Sequence, residues 1–189
     1  MSEQHILEAS RKLFAMYGYD YVSVRKIASE ADVNIGSISY YFHNKIGILQ
    51  KIVEDFYLGL GEMIHPILDG PITDRSGAIK ALTGRALEYM YNHFDSSRVV
   101  LREITLETER FEEVIKPNYM ALNNKLITFF ERVGTEEPRR ALIKFMALTR
   151  YPFSNANSVE LYYQRPFGPD LFDEYIETVL SSLSSELSA

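Results

Sequence analysis

The sequence predicts an all-α fold, and three observations carry that reading. Apolar residues recur at spacings of three and four along nearly the whole chain, and the alternation of half-buried strands is nowhere sustained. Residues with capping chemistry, Gly18, Ser23, Asn34 and Asn44, stand at the breaks between periodic segments. With 189 residues the chain can bury a core without a staple, and the absence of Cys excludes disulfide frameworks and thiolate metal sites.

The elements follow in order. Ile6, Ala9, Leu13, Phe14 and Tyr17 share one face of a first helix, with Gly18 as its C-cap. Ser23 caps a short helix through Ala31 that turns Ile27, Ala28 and Ala31 inward, and Asp32 and Val33 make a tight turn. Asn34 caps a third helix with Ile38, Tyr41 and Phe42 wholly or partly inward, and Asn44 caps a long fourth. The stripe of that helix, from Leu49, Ile52 and Val53 to Met63 and Ile64, is wide enough for two partners. Beyond it "PILDGPITDRSG" reads as a turn region. Helices are predicted near 76–94, 97–110, 111–133 and 137–150, Pro117 starting, kinking or interrupting the third of these. "RYPFSNANSVELYYQRPFGPDLF" reads as loop, short helix and loop before a last helix near 169–183.

Composition narrows the function. The net charge of −6 argues against a general nucleic-acid coat, yet residues 1–51 hold six Lys or Arg against five Asp or Glu, so the acid lies elsewhere. No apolar run approaches the ~18 residues of a membrane span and "MSEQHILEAS" has no signal-peptide pattern, so a cytoplasmic protein with no membrane partner is expected. Glu62 and His65 form a Glu-x-x-His pair of the di-iron type, but no second copy exists. With no phosphate-binding glycine loop or nucleophile elbow either, the reading is no enzyme, no metal and no cofactor. Glu103, Glu107, Glu109, Glu112 and Glu113 read as a solvated face paired with Arg102, Arg110 and Lys116.

Two short helices joined by a tight turn, the second rich in small residues, is the arrangement that lays a helix in a DNA major groove. In "NIGSISYYFHNK" Gly36 allows close approach, Ser37, Ser39 and Tyr40 offer hydroxyls outward, and Tyr41 can pack its ring while its OH reaches a phosphate. Lys45 opens the fourth helix, where a cation opposes the macrodipole unless an anion is also bound.

At these residues, "ILEASRKLFAMYGYDYVSVRKIASEADVNIGSISYYFHNKIGILQKIV" resembles the DNA-binding region of TetR-family transcriptional regulators. The resemblance implies an all-α, TetR-like fold: a three-helix helix-turn-helix domain over 1–46 and a helical dimerisation or regulatory bundle over 47–189. It further implies a homodimer on palindromic double-stranded DNA, nucleoid-associated. By position Ser23, Ser37, Tyr41 and Lys45 match phosphate contacts, and Arg25, Ile35, Gly36, Ser39 and Tyr40 match base-facing sites. Two residues depart from the pattern: Ser39 stands where Tyr is common and His43 where Pro is common. The reading helix itself therefore carries no Arg or Lys, and direct readout rests on Arg25, apolar contact by Ile35, and hydroxyls.

The segments "FYLGLGEM", "LREITLE" and "PFSNANSVELYYQRPFGPDLFDEYI" are similar to a Bacillus-type branch of the family, which implies chromosomal-site binding and regulation of the tubulin-like division-ring protein. In the last helix Leu171, Phe172, Tyr175, Ile176, Val179, Leu180 and Leu183 form a stripe wider than one intramolecular contact needs, so a dimer interface is expected there. A small-molecule effector would need a cavity, with Thr105, Thr108, Asn118, Tyr119 and Asn123 as polar candidates. The rings of Tyr89, Phe94, Phe111, Phe129, Phe130 and Phe145 are large enough to fill that space, so a protein partner such as the division-ring protein is expected before a small effector.

Overall fold

The computed structural model describes residues 2–106 and 108–186, and every long element among them is a helix. In chain order these are α1 (Ser2–Tyr17), α2 (Val24–Glu30), α3 (Ile35–Phe42), α4 (Lys45–Asp69) and α5 (Arg75–Asn92). They continue with α6 (Phe94–Leu106), a π turn (Phe111–Ile115), α7 (Lys116–Arg132), α8 (Pro138–Ser154), α9 (Ala156–Tyr163) and α10 (Pro169–Ser184). Packing groups the chain into two units, one running to Tyr57 and resuming over 93–118, the other holding 58–92 and the chain from Tyr119 onward.

In the first unit α1 packs against α2, α3 and α6. Ile6, Phe14, Ile27, Ile38, Ile52 and Val99 are buried together with Val100 and Ile115, the apolar set that the three-and-four spacing puts on facing stripes. Local chemistry sets the ends. Gly18, at φ +87°, donates its N–H to Phe14 O at 2.9 Å and closes α1. Ser23 accepts from Lys26 N at 3.2 Å, Asn34 from Gly36 N at 2.8 Å, and Asn44 from Gly47 N at 3.0 Å, so each of the next three helices starts on a side-chain cap.

In the second unit α10 packs on α5 and α8, and α8 also on α5 and α9. Leu68, Ile79, Leu82, Leu87, Phe129, Phe130, Phe153, Leu171 and Val179 form its core, each side chain contributing roughly 1.5–3 kcal/mol on burial.

Three expectations about proline and charge are corrected. The segment after Pro66 is not turn from its start: α4 continues through Pro66 to Asp69, and the Arg132 guanidinium donates to the carbonyls of Leu68 and Gly70 at the end of the helix. The helix expected to stop near 150 runs through Pro152 to Ser154. Pro152 has no N–H for Leu148 O, and the Tyr175 hydroxyl donates to that carbonyl instead, at 2.8 Å. Glu103 is not on a solvated face; it is buried against Arg110, while Glu112 pairs with Lys116 at 2.6 Å on the surface. Arg102 donates to Phe14 O at 3.4 Å, and Glu107 lies outside the described residues.

Candidate nucleic-acid interface

The elbow between α3 and α4 is built around one carbonyl. Phe42 O accepts from Asn44 N at 2.7 Å, which places His43 at φ +63° and ψ −49°, the strained γ-turn conformation. A Cβ on Gly47 would lie 2.1 Å from the same oxygen, so only glycine lets α4 start this close to the end of α3. Proline, with φ locked near −65°, does not fit position 43, which gives the departure from the family pattern a backbone reason.

The elbow turns one face of α3 outward. Ile38 and Phe42 are buried; Ile35, Gly36, Ser39, Tyr40 and Tyr41 are exposed, Tyr40 to 78%, and Ser37 is half-buried. Ile35 and Ser39, Gly36 and Tyr40, and Ser37 and Tyr41 are each one turn apart, so the reading candidates and the phosphate candidates occupy adjacent strips. Tyr40 and Tyr41 meet edge to face, ring centres 4.9 Å apart. Arg25 is exposed in the first turn of α2.

Lys45 sits differently from its sequence expectation. Its ammonium donates to Tyr19 O at 3.0 Å and to Val22 O at 3.1 Å, and lies 4.0 Å from the centre of the Tyr19 ring. Two of three donors are thus used on the turn before α2, and the charge that opposes the α4 dipole is met by carbonyls. Burial pushes the Lys45 pKa below its ordinary value, Asp20 working in the other direction. Val22 immediately precedes Ser23, so the Lys45 ammonium is bonded to the backbone one residue before the α2 cap.

Spacing alone does not single out Tyr19, and it offers Arg110 only as a partner of the acidic run. The Arg110 guanidinium lies 4.6 Å from the Tyr19 ring centre, donates through Nε to Glu103 at 2.7 Å and through its terminal nitrogen to Asp20 at 3.0 Å. Burial works against its charge, but the bond to Glu103 and the neighbouring carboxylates push its pKa up. Burial likewise raises the Tyr19 pKa. No local pattern could announce this cluster, since its members come from three separate stretches.

The α10 stripe is largely spent within its own unit. Leu171, Tyr175, Ile176, Val179 and Leu183 are buried within the single chain, where α10 packs on α5 and α8, while Phe172 and Leu180 are half-buried. Burial pushes the Tyr175 phenol well above its ordinary range. The breadth of the stripe reflects two intramolecular neighbours rather than one. An open groove of ≈ 480 Å³ lies on the same unit along α5 and the start of α10, lined by Arg85, Tyr91, Phe172 and Ile176 among others. Of the suggested effector contacts, Thr105 is exposed and bonded to Leu101 O at 2.9 Å, Asn118 and Tyr119 are half-buried, and Thr108 Oγ1 and Asn123 Oδ1 are buried with no hydrogen-bond partner among the described residues. Among the rings expected to fill the interior, Tyr89, Phe129, Phe130 and Phe145 are buried, and Phe94 and Phe111 half-buried. His65 pairs with Asp69 at 2.5 Å on an exposed face of α4, and the described residues contain no group of three potential metal ligands. No helix among the described residues is long and apolar enough to cross a membrane.

Residues 6–52 match the family model for bacterial regulatory proteins of the tetR family. The chain is 25% identical over 187 residues to the probable HTH-type transcriptional regulator YttP of Bacillus subtilis, covering 94% of this chain and 90% of that protein. It is also similar to a regulatory protein of the tetR family from Rhodococcus, with a TM-score of 0.79 at 16% identity over 100% of this chain and 98% of the other. The TetR-family regulator PfmR of Thermus thermophilus gives a TM-score of 0.74 at 18% identity over 93% of each chain. Likeness at such identities establishes the fold. Nothing in these matches refers to cell division, and the division-ring reading is not carried forward.

Proposed function

We propose, from the premise that this chain belongs to the tetR family of bacterial regulatory proteins, that it is a sequence-specific DNA-binding regulator acting as a homodimer on palindromic sites. The observation that carries the proposal is the outward face of α3, where Ile35, Gly36, Ser39 and Tyr40 stand exposed on a helix whose opposite side is anchored by Ile38 and Phe42. An isoleucine at 46% exposure and a tyrosine at 78% on one short helix are costly to leave in water and well suited to a thymine methyl and a base edge. Arg25 supplies the bidentate donor that α3 lacks, and Ser23, Ser37, Tyr41 and Lys45 serve phosphates. Two such heads spaced about one duplex turn, ~34–36 Å, or somewhat more, read a palindrome.

The buried rings of the second unit support a regulator governed by DNA and protein partners rather than by an enclosed small ligand. In the dimer, the exposed Ile143 and Tyr151 of α8, with the half-buried Phe172 and Leu180 of α10, supply the apolar surface.

The test is selection of duplexes from a random pool, followed by binding across a salt series. Enrichment of a palindrome is expected, with Arg25→Ala costing ~1–3 kcal/mol and relaxing one base pair per half-site. Failure to enrich any sequence refutes the DNA reading. A metabolite that both raises the melting temperature and releases the selected duplex refutes the ligand-independent part.

A further inference from the structure

From the cluster around Tyr19 we infer that Tyr19 and Arg110 are positioning residues for DNA binding, holding the Lys45 ammonium in place for a phosphate before DNA arrives. This rests on the phosphate role proposed above for Lys45. The geometry is specific. Lys45 Nζ is fixed by three features of one residue pair: the Tyr19 carbonyl at 3.0 Å, the Val22 carbonyl at 3.1 Å and the Tyr19 ring at 4.0 Å. One ammonium donor remains for an external acceptor. Tyr19 is itself held, buried to 9% exposure, with its ring 5.2 Å from that of Phe14 and the Arg110 guanidinium 4.6 Å from its centre.

Arg110 arrives from ninety residues along the chain and is fixed by a fork: Nε on the buried Glu103, a terminal nitrogen on Asp20, the residue after Tyr19. It also immediately precedes the π turn over Phe111–Ile115. A π turn inside a helical run is uncommon and concentrates at functional positions, and this one begins directly after Arg110. The chain of contacts thus runs from the π turn through Arg110 and the Tyr19 ring to Lys45. A lysine on a flexible stem loses rotamer freedom when it grips a phosphate, and a lysine already fixed loses less. That is the advantage of spending two donors and a ring on it in the free protein.

The experiment uses the full chain and a duplex selected by the wild-type protein. Arg110→Met is combined with Glu103→Gln so that no buried carboxylate is stranded; Asp20→Asn, at an exposed position, serves as a second and milder variant. Two quantities are read. The first is the carbon-13-edited NMR signal of the Lys45 ε-methylene, which stacking on Tyr19 shifts upfield of the other lysines, measured without DNA. The second is the slope of log affinity against log salt. The double variant is expected to move the Lys45 signal toward the other lysines and to lower the slope by about 0.9 per protomer, the share of one phosphate. Lys45→Ala should give the same slope loss, with no further loss when the substitutions are combined; Asp20→Asn should move both quantities part of the way. Tyr19→Phe, which keeps the ring and both carbonyls, should leave both near wild type.

If Lys45→Ala lowers the slope while both variants leave the signal and slope unchanged, the positioning inference is overturned and the phosphate role survives. If Lys45→Ala leaves the slope unchanged, the phosphate role falls and the inference falls with it.

Discussion

Replacing Tyr175 by Phe removes one oxygen and nothing else, which makes it a clean probe of how α8 continues past a proline. The hydroxyl donates to Leu148 O at 2.8 Å, and that carbonyl is the one Pro152 cannot serve. Tyr175 is 4% exposed, so no water replaces the lost donor without rearrangement. A carbonyl stranded in such a place costs about 1–3 kcal/mol, and Tyr175→Phe should destabilise the protein by that amount. Pro152→Ala restores an N–H to position 152, able to bond Leu148 O along the helix. In that background the loss of the hydroxyl should cost less than ~0.5 kcal/mol, a coupling of about 1 kcal/mol or more between two residues far apart in sequence. The chain contains no Trp, so the assay is urea unfolding followed by far-UV circular dichroism on all four proteins of the cycle. Equal costs in both backgrounds, or no cost in either, would refute the account of Pro152. Sedimentation of the same variants checks the reassignment of α10: a Tyr175→Phe protein of unchanged stability but altered oligomeric state would return Tyr175 to the dimer interface.

Other outcomes follow from the backbone and from charge. His43 is exposed and strained at φ +63°, so His43→Gly should raise stability by about 0.5–2 kcal/mol after the entropy of the unfolded glycine is counted, and His43→Pro should cost ~3 kcal/mol or more; thermal melts that reverse this order contradict the γ-turn. Gly47→Ala gains up to ~1 kcal/mol of helix propensity but sets a Cβ 2.1 Å from Phe42 O, so a net loss of about 1–2 kcal/mol is expected in urea unfolding, and a neutral result would mean that the elbow yields. The bond from Lys144, with Arg140 beside it, holds the Glu186 carboxyl below its ordinary 4.5 against the opposing effect of burial. Its contribution is then complete above the unfolded value and lost as pH falls through the lower folded one. Wild type should lose stability more steeply than Glu186→Gln as pH falls below that ordinary 4.5, and parallel curves would contradict the clamp.

What the sequence disclosed was what neighbours in the chain decide. Gly18, Ser23, Asn34 and Asn44 each act within four residues of themselves, and each performs the capping role expected of it. The exposed strip of α3 was legible for the same reason, because helical period alone separates Ile38 and Phe42 from Ile35, Ser39 and Tyr40. The misreadings concern partners supplied from a distance. Pro66 and Pro152 looked like stops; the carbonyl that Pro152 leaves is met by Tyr175 and the last carbonyls of α4 by Arg132, donors that no local rule foresees. Glu103 looked solvated because its run is acidic, and only the fold brings it under Arg110. A wide apolar stripe on α10 means many neighbours, but periodicity does not say whether they belong to the same chain.

The bonds from Arg110 to Asp20, beside Tyr19, and from Arg102 to the Phe14 carbonyl also have a bearing on the order of events during synthesis. These bonds join residues 90 and 88 apart in the chain. At translation rates of about 5–20 residues per second, the first fifty-odd residues exist for roughly 3–12 s before Arg110 is made. During that interval the turn carrying Tyr19 lacks its guanidinium clamp. If the proposed DNA-binding role holds, a nascent chain at this stage should grip DNA weakly whatever its sequence preference, so that newly made heads would not occupy operators before the remainder of the polypeptide has been produced.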